Sequence, residues 1–296
     1  MNNRLYDCII IGAGPGGLQA AIYLGRYNRD VLLIDRGGGR TRHARSIENF
    51  LTHKSISGNE LIELGTEQAK SFNVQVIKGT VSDISRKDYF EVHTGDHIFL
   101  SKFVIVSSGV YDNLPPIENV HKFLGKGFFT CIDCDGYRTT RGKLVIIGNS
   151  LKTVHLAFGM KQMFTKDITL VLYTDKAPAG YKEELADENI HYIVGRPVKI
   201  IGDNRIEAVE MRDGRRIECE VIMSDFGFKL NDSFLSGLDL KRDRDNFKYP
   251  VNVHYESSLS GLYIVGPLNT GPDQAIVAAG EGAVAAIDIK KRLLEM

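Results

Sequence analysis

Two stretches of the chain repeat the same order of apolar and polar positions. In the first, an apolar run over residues 6–11 leads into a glycine-rich turn, an Ala/Leu-rich segment to residue 27 and a second apolar run over residues 31–34. Short apolar runs bounded by glycine predict buried strands, and the Ala/Leu-rich segment between them predicts a helix. The second stretch starts at Lys143 and repeats this order as far as residue 171. We therefore expect two β-α-β units.

Each unit is followed by a segment in which apolar and polar residues alternate. Residues 74–106 alternate with turns near Asp88 and at residues 94–96, and residues 192–224 show a similar pattern. This pattern predicts a meander of antiparallel strands in each segment. The Asn-Leu-Pro-Pro stretch at residues 113–116 predicts a linker, because two prolines cannot extend a helix or a central strand.

The turn of the first unit carries the glycine spacing of a dinucleotide site, with glycines at positions 12, 14 and 17. Gly12 permits the turn, Gly14 lets the backbone approach a pyrophosphate, and Gly17 lets the helix pack on the strand. Asp35 closes the second strand, where a carboxylate can accept hydrogen bonds from a ribose. The pattern predicts a dinucleotide site, with a relic glycine-rich loop as the alternative.

The second unit has lost most of this pattern. Aligning Gly148 with the first glycine puts Ser150 and Thr153 at the positions of the second and third glycines. With one residue inserted, Leu172 stands at the position of the acid. We expect this unit to keep the fold without the usual nucleotide site. A tolerated variant that still binds NAD(P)H remains the alternative.

Composition and charge narrow the class of protein. The chain has 296 residues, of which 43% are hydrophobic, so two domains are expected. Lys and Arg total 37, as do Asp and Glu, so the net charge favours neither nucleic acid nor an anionic membrane as partner. We find no signal peptide and no apolar run of membrane-spanning length, and expect a cytoplasmic enzyme acting on small molecules.

The four cysteines include one close pair, Cys131 and Cys134, followed directly by Asp135. A zinc half-site would need two further ligands, and Cys8 and Cys219 lie in predicted strands without a suitable partner. Haem attachment would need histidine after the second cysteine. We favour a redox-active pair over zinc and expect no metal site. The other two cysteines are expected to be buried, inert thiols.

Taken together, these motifs resemble those of the low-molecular-weight thioredoxin reductases, whose redox motif is Cys-x-x-Cys-Asp-Gly. The chain has Cys-Ile-Asp-Cys-Asp-Gly-Tyr at 131–137, between two dinucleotide-type units. The GAGPGG turn with Asp35, the ENF at 48–50, the SSG at 107–109 and the segments at 261–266 and 274–286 also occur in the order of that family. The resemblance covers nearly the whole chain.

The resemblance implies a fold and a division into domains. The fold class is α/β, with two Rossmann-like three-layer domains of the FAD/NAD(P)-binding type, each with a small antiparallel β-meander. The FAD-binding domain would be discontinuous, over residues 1–112 plus 247–296. It would enclose residues 113–246, a degenerate NAD(P)H-type domain carrying the cysteine pair. The resemblance also implies a homodimer.

It further implies roles for individual residues. Cys134 would be the sulfur that meets the flavin, Cys131 the one that attacks a partner's disulfide, and Asp135 the acid/base. Asn49 and Gln274 would lie near the isoalloxazine, with the positive end of a C-terminal helix directed at the ring. The predicted cofactor-binding residues are Gly12, Gly14, Gly17, Asp35, Asn49, Ser108, Gly109, Gly266, Gln274 and Ala275.

Three positions depart from the family pattern. The second fingerprint, Gly-x-Gly-x-x-Ala, has Ser150 and Thr153 in place of its second glycine and its alanine. The His-Arg-Arg run that clamps the 2′-phosphate of NADPH aligns with residues 172–174, which include no cation. The Gly-Asp that fixes the ribityl chain of FAD is Gly266-Pro267 here, so FAD should be held somewhat differently.

The departures are similar to those of the pyridine-nucleotide-independent branch: ferredoxin-dependent thioredoxin reductases, fungal-type dithiol oxidases and diflavin-linked disulfide oxidoreductases. We therefore expect FAD as cofactor and NADPH not to be the donor. A second FAD is left open, since several basic residues crowd the loop after Asp35; a solvated basic loop explains them equally well. These residues are Arg36, Arg40, Arg42, His43 and Arg45.

The expected partner is a dithiol/disulfide protein or a small thiol, with a ferredoxin-type or other non-nicotinamide electron partner left open. Two alternatives remain at this point. One is an NADPH-dependent thioredoxin reductase with an atypical nucleotide site. The other is a non-catalytic FAD-binding redox sensor, whose cysteine pair would switch an interaction.

Overall fold

A computed structural model describes residues 4–140, 142–174, 179–245 and 247–296. The chain divides into two compact units, Met1–Tyr111 with Lys229–Met296, and Asp112–Phe228. Residues 229–245, which the sequence prediction counted with the second domain, thus lie in the first unit, and Asp112, which it counted with the first, begins the second unit. The assignment of FAD to one unit and of a degenerate NAD(P)H site to the other stays a prediction.

The regular elements are named in chain order, with bounds given for the described residues. They are β1 (Leu5–Ile11), α1 (Pro15–Arg26), β2 (Val31–Asp35), α2 (Arg40–His43), α3 (Gly58–Ser71), β3 (Gln75–Lys78), β4 (Val81–Arg86), β5 (Phe90–Thr94), β6 (His97–Val106), β7 (Val110–Asp112), α4 (Val120–Phe123), β8 (Phe128–Phe129), α5 (Ile132–Asp135), β9 (Leu144–Gly148), α6 (Leu151–Met163), β10 (Ile168–Leu172), α7 (Lys182–Asp187), β11 (His191–Val194), β12 (Pro197–Ile201), β13 (Ala208–Met211), β14 (Arg216–Glu218), β15 (Val221–Asp225), β16 (Phe228–Leu230), β17 (Leu262–Ile264) and α8 (Ala275–Leu294). Short 3₁₀ helices cover Gly136–Thr139 and Ser233–Leu235.

The first unit is built on one seven-stranded sheet in the order β3-β2-β1-β6-β5-β4, with β17 also paired to β6. The strands β3, β2, β1, β6 and β17 are parallel, whereas β4, β5 and the first half of β6 are antiparallel. Helices α1 and α8 pack against each other on one face, over a core that includes Ile10, Leu33 and Ile105.

The predicted meander over residues 74–106 was wrong at both ends. Strand β3 pairs in parallel with β2, and the second half of β6 pairs in parallel with β1. Strand β3 is only half-buried, so its pattern along the chain looks like that of a meander strand. The antiparallel part is β4, β5 and the start of β6, and it continues the parallel sheet.

The second unit has a five-stranded parallel sheet in the order β11-β10-β9-β15-β8 and a three-stranded antiparallel sheet, β12-β13-β14. Alternate residues of β9 enter two different cores. Ile146 packs with Val154 of α6, and Ile147 belongs to the core that contains Val209 of β13. Helix, parallel sheet and antiparallel sheet thus form three layers. The second predicted meander was likewise wrong at its ends, because β11 and β15 belong to the parallel sheet.

The fold class is therefore confirmed as α/β with two Rossmann-type units. Strands β7 and β16 form a separate two-stranded sheet. Residues 113–116 have no regular structure, as two prolines in succession require.

Candidate functional site

A groove of about 1150 Å³, counting the part open to solvent, lies at the carboxyl ends of β1, β2 and β6 in the first unit. In open α/β sheets this edge is where nucleotides bind. Most of the predicted cofactor residues line the groove: Gly12, Gly14, Asp35, Ser108, Gly109, Gly266, Gln274 and Ala275. Gly17 and Asn49 are not among the residues that line it.

Each of the three positions in the turn requires glycine for a different structural reason. Gly12 has φ +101°, and a Cβ there would lie 2.4 Å from the carbonyl oxygen of Ser107. A Cβ on Gly17 would lie 2.0 Å from the carbonyl oxygen of Gly12, so Gly17 serves the contact between α1 and β1. At Gly14 the nearest atom would be 3.8 Å away. Packing alone does not require glycine at this position, whereas close approach of a pyrophosphate does.

Two helix N-termini meet at the groove. Gly14 precedes α1 and Gln274 precedes α8, and neither helix has a side-chain cap. The helices approach closely, since a Cβ on Gly282 would lie 2.0 Å from the carbonyl oxygen of Gly16. Their uncapped backbone amides and positive dipole ends suit a diphosphate and an electron-rich ring system.

Asp35 is the last residue of β2 and is half-buried. Its Oδ1 accepts from the backbone N–H of Ala13 at 3.1 Å, and its Oδ2 from that of Gly37 at 3.2 Å. These bonds fix the carboxylate at the rim of the groove. Each oxygen keeps a further lone pair for a ribose hydroxyl.

Asn49 reaches the groove through another residue. Its Nδ2 donates to Oε1 of Gln274 at 3.1 Å. The bond orients the amide of Gln274, which does line the groove. Asn49 is therefore placed to hold the side-chain amide of Gln274 in position.

Sequence reasoning missed Asn231, which closes the other side of the groove. Its Nδ2 donates to the carbonyl of Ser108 at 2.9 Å, and the Ser108 hydroxyl donates to the carbonyl of Asn231 at 2.6 Å. Arg36 donates to Oδ1 of Asn231 at 2.8 Å and also to the hydroxyl of Tyr111. No local motif marks these partners, because they are far apart in the sequence.

The basic loop after Asp35 only partly faces the groove. Arg36, Arg40 and Arg42 line it, whereas His43 and Arg45 are not among the lining residues. Residues 37–39 are three glycines with φ between +78° and +93°, so they form an open turn that larger residues would strain.

The cysteine pair lies in the second unit and forms a disulfide, with the Cα atoms 5.3 Å apart. Cys131 precedes the short helix α5, and its Sγ accepts from the backbone N–H of Cys134 at 3.2 Å. Both residues are half-buried. Ile132 packs against the core beneath α6, and Gly136 lies against the ring of Phe164, which holds the motif in place.

Asp135 has a partner that the sequence did not indicate. Arg138 Nε donates to Asp135 Oδ1 at 3.0 Å, and both side chains are more than two-thirds buried. The guanidinium also lies 4.9 Å from the centre of the Tyr137 ring. The carboxylate next to Cys134 is thus held in one place by a fixed cation.

Cys8 and Cys219 are outside the disulfide, and both are buried. Burial raises the pKa of the Cys8 thiol far above its ordinary value, and it raises the pKa of Cys219 to about 12. Neither forms a reactive thiolate at neutral pH. Over residues 4–140, 142–174, 179–245 and 247–296, no three His, Cys, Asp or Glu side chains are grouped as metal ligands would be.

At the corresponding edge of the second unit, other residues stand at the positions of the glycines and the acid of the first unit. Ser150 precedes α6 as Gly14 precedes α1. Thr153 is fully buried, and a Cβ on Gly148 would lie 2.1 Å from its Oγ1. Leu172 is the last residue of β10 and is also fully buried. The sequence alignment of the two units therefore pairs residues at equivalent places in the fold: Ser150 with Gly14 before the helix, and Leu172 with Asp35 at the end of the second strand.

Past β10 the structure shows a cation that sequence alignment did not indicate. The exposed guanidinium of Arg196 lies 6.0 Å from the centre of the Tyr173 ring. That ring packs edge-on against Phe226 at 5.1 Å. Arg196 reaches this place from the loop after β11, so residues 172–174 do not lack every nearby positive charge.

None of the helices in the described ranges is long and apolar enough to cross a membrane.

Comparison with known proteins agrees with this arrangement. A family model described as Pyridine nucleotide-disulphide oxidoreductase matches residues 6–282. The thioredoxin reductase of Aquifex aeolicus (strain VF5) is 29% identical over 98% of this chain and 94% of its own length. That of Bacillus subtilis (strain 168) is 26% identical over 99% and 96%. The crystal structure of thioredoxin reductase from Streptococcus pyogenes MGAS5005 matches with a TM-score of 0.92 and 26% identity over 100% of both chains.

The groove with two uncapped helix N-termini, the paired cysteines and the family match lead to one conclusion. The chain belongs to the pyridine nucleotide-disulphide oxidoreductase family, as a thioredoxin-reductase-like, FAD-dependent disulfide oxidoreductase.

Proposed function

We propose that this enzyme exchanges electrons between a dithiol or disulfide partner and FAD through Cys131 and Cys134, and that NADPH is not its electron donor. The observation that carries the second part is the fully buried Leu172 at the end of β10. The equivalent position of the first unit is Asp35, a half-buried carboxylate at the rim of the groove. An apolar, buried side chain cannot accept hydrogen bonds from a ribose.

The residues around the groove of the first unit fit FAD. The amides at the start of α1 would hold the diphosphate, Asp35 would accept from the ribose, and Gln274, oriented by Asn49, would contact the ring. When bound, FAD takes up or releases the electron pair that accompanies thiol oxidation or disulfide reduction.

The cysteine pair supplies the thiol chemistry. A partner thiolate that attacks Sγ of Cys131 breaks the bond to Cys134 and forms a mixed disulfide. A second partner thiolate then forms the partner disulfide and releases Cys131. The partner loses two electrons and the pair gains them; the reverse sequence reduces a partner. Asp135, held by Arg138, is placed to take or give the proton of Cys134.

A carboxylate at the nucleotide edge of the second unit also supports the proposal that NADPH is not the donor. Asp225 ends β15 and is the register partner of Gly148. Its Oδ2 lies 3.4 Å from Oγ1 of Thr153, at the start of α6. A carboxylate beside the turn opposes the negative charge of a pyrophosphate, and Thr153 fills the space that a small residue would leave.

Anaerobic mixing of the holoenzyme with NADPH, followed at the flavin absorbance, tests this proposal. We expect the flavin to stay oxidised with micromolar NADPH and to bleach with a reduced dithiol. Rapid bleaching by NADPH would overturn the proposal.

A second candidate, an NADPH-dependent reductase with an atypical site, is favoured by Arg196. Its guanidinium lies beside Tyr173, near the place where a 2′-phosphate would be expected, and α6 has no side-chain cap. The relatives named thioredoxin reductase also favour it. In that case R196A should raise KM for NADPH about tenfold with little effect on NADH.

The partner and the number of flavins belong to the same proposal. By analogy with relatives named thioredoxin reductase, the partner is a thioredoxin-type protein or a small dithiol. A ferredoxin-type electron partner is proposed from the departures in the second unit alone, at Ser150, Thr153 and residues 172–174. Arg36, Arg40 and Arg42 on the same groove would suit a second phosphate-bearing flavin. Release of flavin from a known amount of protein decides between one and two.

A cytoplasmic homodimer is proposed from the family resemblance alone. Sedimentation of the purified holoenzyme tests the dimer, and cell fractionation tests the compartment.

A further inference from the structure

The loop at residues 266–271 borders the groove but uses its polar groups inside the protein. The N–H of Gly266 donates to the buried carboxylate of Glu281, and its carbonyl accepts from the N–H of Asn269 at 3.0 Å. Pro267 also lines the groove, and its side chain can neither donate nor accept a hydrogen bond. The two residues of this loop that line the groove, Gly266 and Pro267, therefore offer no side-chain acceptor to a hydroxyl-rich ligand.

Asp273 supplies an acceptor at the same groove, two residues before α8 begins. Its Oδ1 accepts from Nζ of Lys248 at 2.7 Å. The side chain of Lys248 is only 9% exposed and that of Asp273 is 24% exposed. Among the described residues, Oδ2 of Asp273 has no hydrogen-bond partner, so the carboxylate is fixed by one oxygen and available at the other.

The groove has two carboxylates among its lining residues, Asp35 and Asp273. They belong to different elements: Asp35 ends β2, and Asp273 precedes α8. FAD has hydroxyl groups in two places, the adenosine ribose and the ribityl chain. Carboxylates that accept from hydroxyls give stronger hydrogen bonds than neutral acceptors do.

We propose that Asp273 accepts hydrogen bonds from the ribityl hydroxyls of FAD and that Lys248 is its positioning residue. Asp273 would replace the acid that the family pattern has at position 267, where this chain has proline. The proposal rests on FAD as the cofactor and deepens that assignment. It identifies how a loop with proline at position 267 keeps a site for a polyol: the acceptor is Asp273, two residues before α8 begins.

Titration of apoprotein with FAD and, separately, with ADP tests the proposal. ADP contains the adenosine and the diphosphate but no ribityl chain. We expect D273A to raise the Kd for FAD roughly 10-fold to 100-fold, as for loss of a hydrogen bond to a charged group, and to leave the Kd for ADP unchanged. D35A should weaken both ligands, because both contain the ribose.

Two further variants guard against misfolding. K248M/D273A removes both charges of the ion pair together, and it should show the same selective loss for FAD. D239A, which removes an exposed carboxylate of the same unit, is the matched control and should bind both ligands normally. Unchanged FAD binding by D273A, or equal weakening of FAD and ADP, would overturn the proposal.

This experiment is separable from the test of the proposed function. It measures binding without electron transfer, so the identity of the electron donor does not affect it. Failure of the wild-type chain to bind FAD would instead contradict the assignment of the cofactor.

Discussion

Burial separates the cysteines of this chain into two kinds. Cys131 and Cys134 are half-buried and form the disulfide, whereas Cys8 and Cys219 are almost wholly enclosed. Desolvation raises the pKa of both enclosed thiols, and Coulomb repulsion from Asp7 and Glu220 raises it further. Thiol reactivity should therefore be confined to the pair.

We expect reduced native protein to take up alkylating reagent at Cys131 and Cys134 only, and denatured protein to take it up at all 4 cysteines. Mass spectrometry after brief treatment with iodoacetamide measures this. Equal labelling of Cys8 or Cys219 in the native state would show that their enclosure is not maintained in solution.

Arg138 should matter for the thiol chemistry through Asp135. We expect R138Q to slow dithiol-dependent flavin reduction by about tenfold, because the Asp135 carboxylate loses its charged partner, and R138K to recover part of the rate. The matched control is R215Q, which breaks an exposed Arg–Asp pair in the same unit. A rate for R138Q equal to that of R215Q would argue against this role.

At the scale of elements, the two units differ most at the start of the helix that follows the first strand. Gly17 lets α1 approach the carbonyl oxygen of Gly12, whereas Thr153 fills the corresponding space beside Gly148. The same fold is thus packed in two ways. In the first unit a glycine makes the contact between helix and strand, and in the second unit a buried threonine makes it.

Matched substitutions at these positions should differ in outcome. We expect G17A to destabilise the protein by about 1–3 kcal/mol and to lose FAD, because its Cβ would lie 2.0 Å from the Gly12 oxygen. T153A removes only a few buried atoms, so it should cost about 1 kcal/mol and keep FAD. Denaturant titration and the ratio of flavin to protein measure both effects. Normal flavin content in G17A would contradict the packing described.

Helix α8 fixes the loop beside the groove through Glu281. Burial raises the pKa of this carboxyl above its ordinary value of 4.5. An acid whose pKa is raised by folding holds its proton more tightly in the folded state. Its contribution to stability is therefore complete below about pH 4.5 and is lost as the pH rises through the raised pKa.

E281Q removes this titration and can keep both hydrogen bonds, because Gly266 and Asn269 donate to the same oxygen of Glu281. We expect the variant to gain stability relative to the wild type as the pH is raised from about 5 to about 8. Urea denaturation at the two pH values measures the difference. A stability difference that does not vary with pH would show that Glu281 does not titrate in this range.

Hydrophobic periodicity was sufficient for the strand-helix-strand core of each unit, because buried parallel strands are continuous apolar runs. It was not sufficient for the ends of the meanders. Strand β3 is half-exposed at the edge of the sheet, and β6 is antiparallel at its start and parallel at its end. Pairing partners of this kind depend on the tertiary fold and leave little local signal.

At the scale of the whole molecule, the residues that carry the chemistry were easier to predict from the sequence than the residues that surround and position them. The glycine turn, Asp35 and the cysteine pair are local motifs, and the structure brings most of the predicted cofactor residues to one groove. Asn231 with Ser108, and Lys248 with Asp273, could not be anticipated, because each contact joins segments that are separate in sequence. The roles assigned to individual residues stay predictions.

The whole account depends on a difference between two similar units: the first has Gly17 and the half-buried Asp35, and the second has the buried residues Thr153 and Leu172 at the matching positions. If the difference has the meaning proposed, the flavin receives electrons from thiols or from a non-nicotinamide carrier. The relatives named thioredoxin reductase make the opposite outcome a real alternative.

The most direct test is the flavin absorbance of the holoenzyme, followed anaerobically after mixing with NADPH and, in a parallel sample, with a reduced dithiol. The account predicts bleaching by the dithiol and an unchanged spectrum with micromolar NADPH. Rapid bleaching by NADPH would contradict it and establish the second unit as a working nucleotide site.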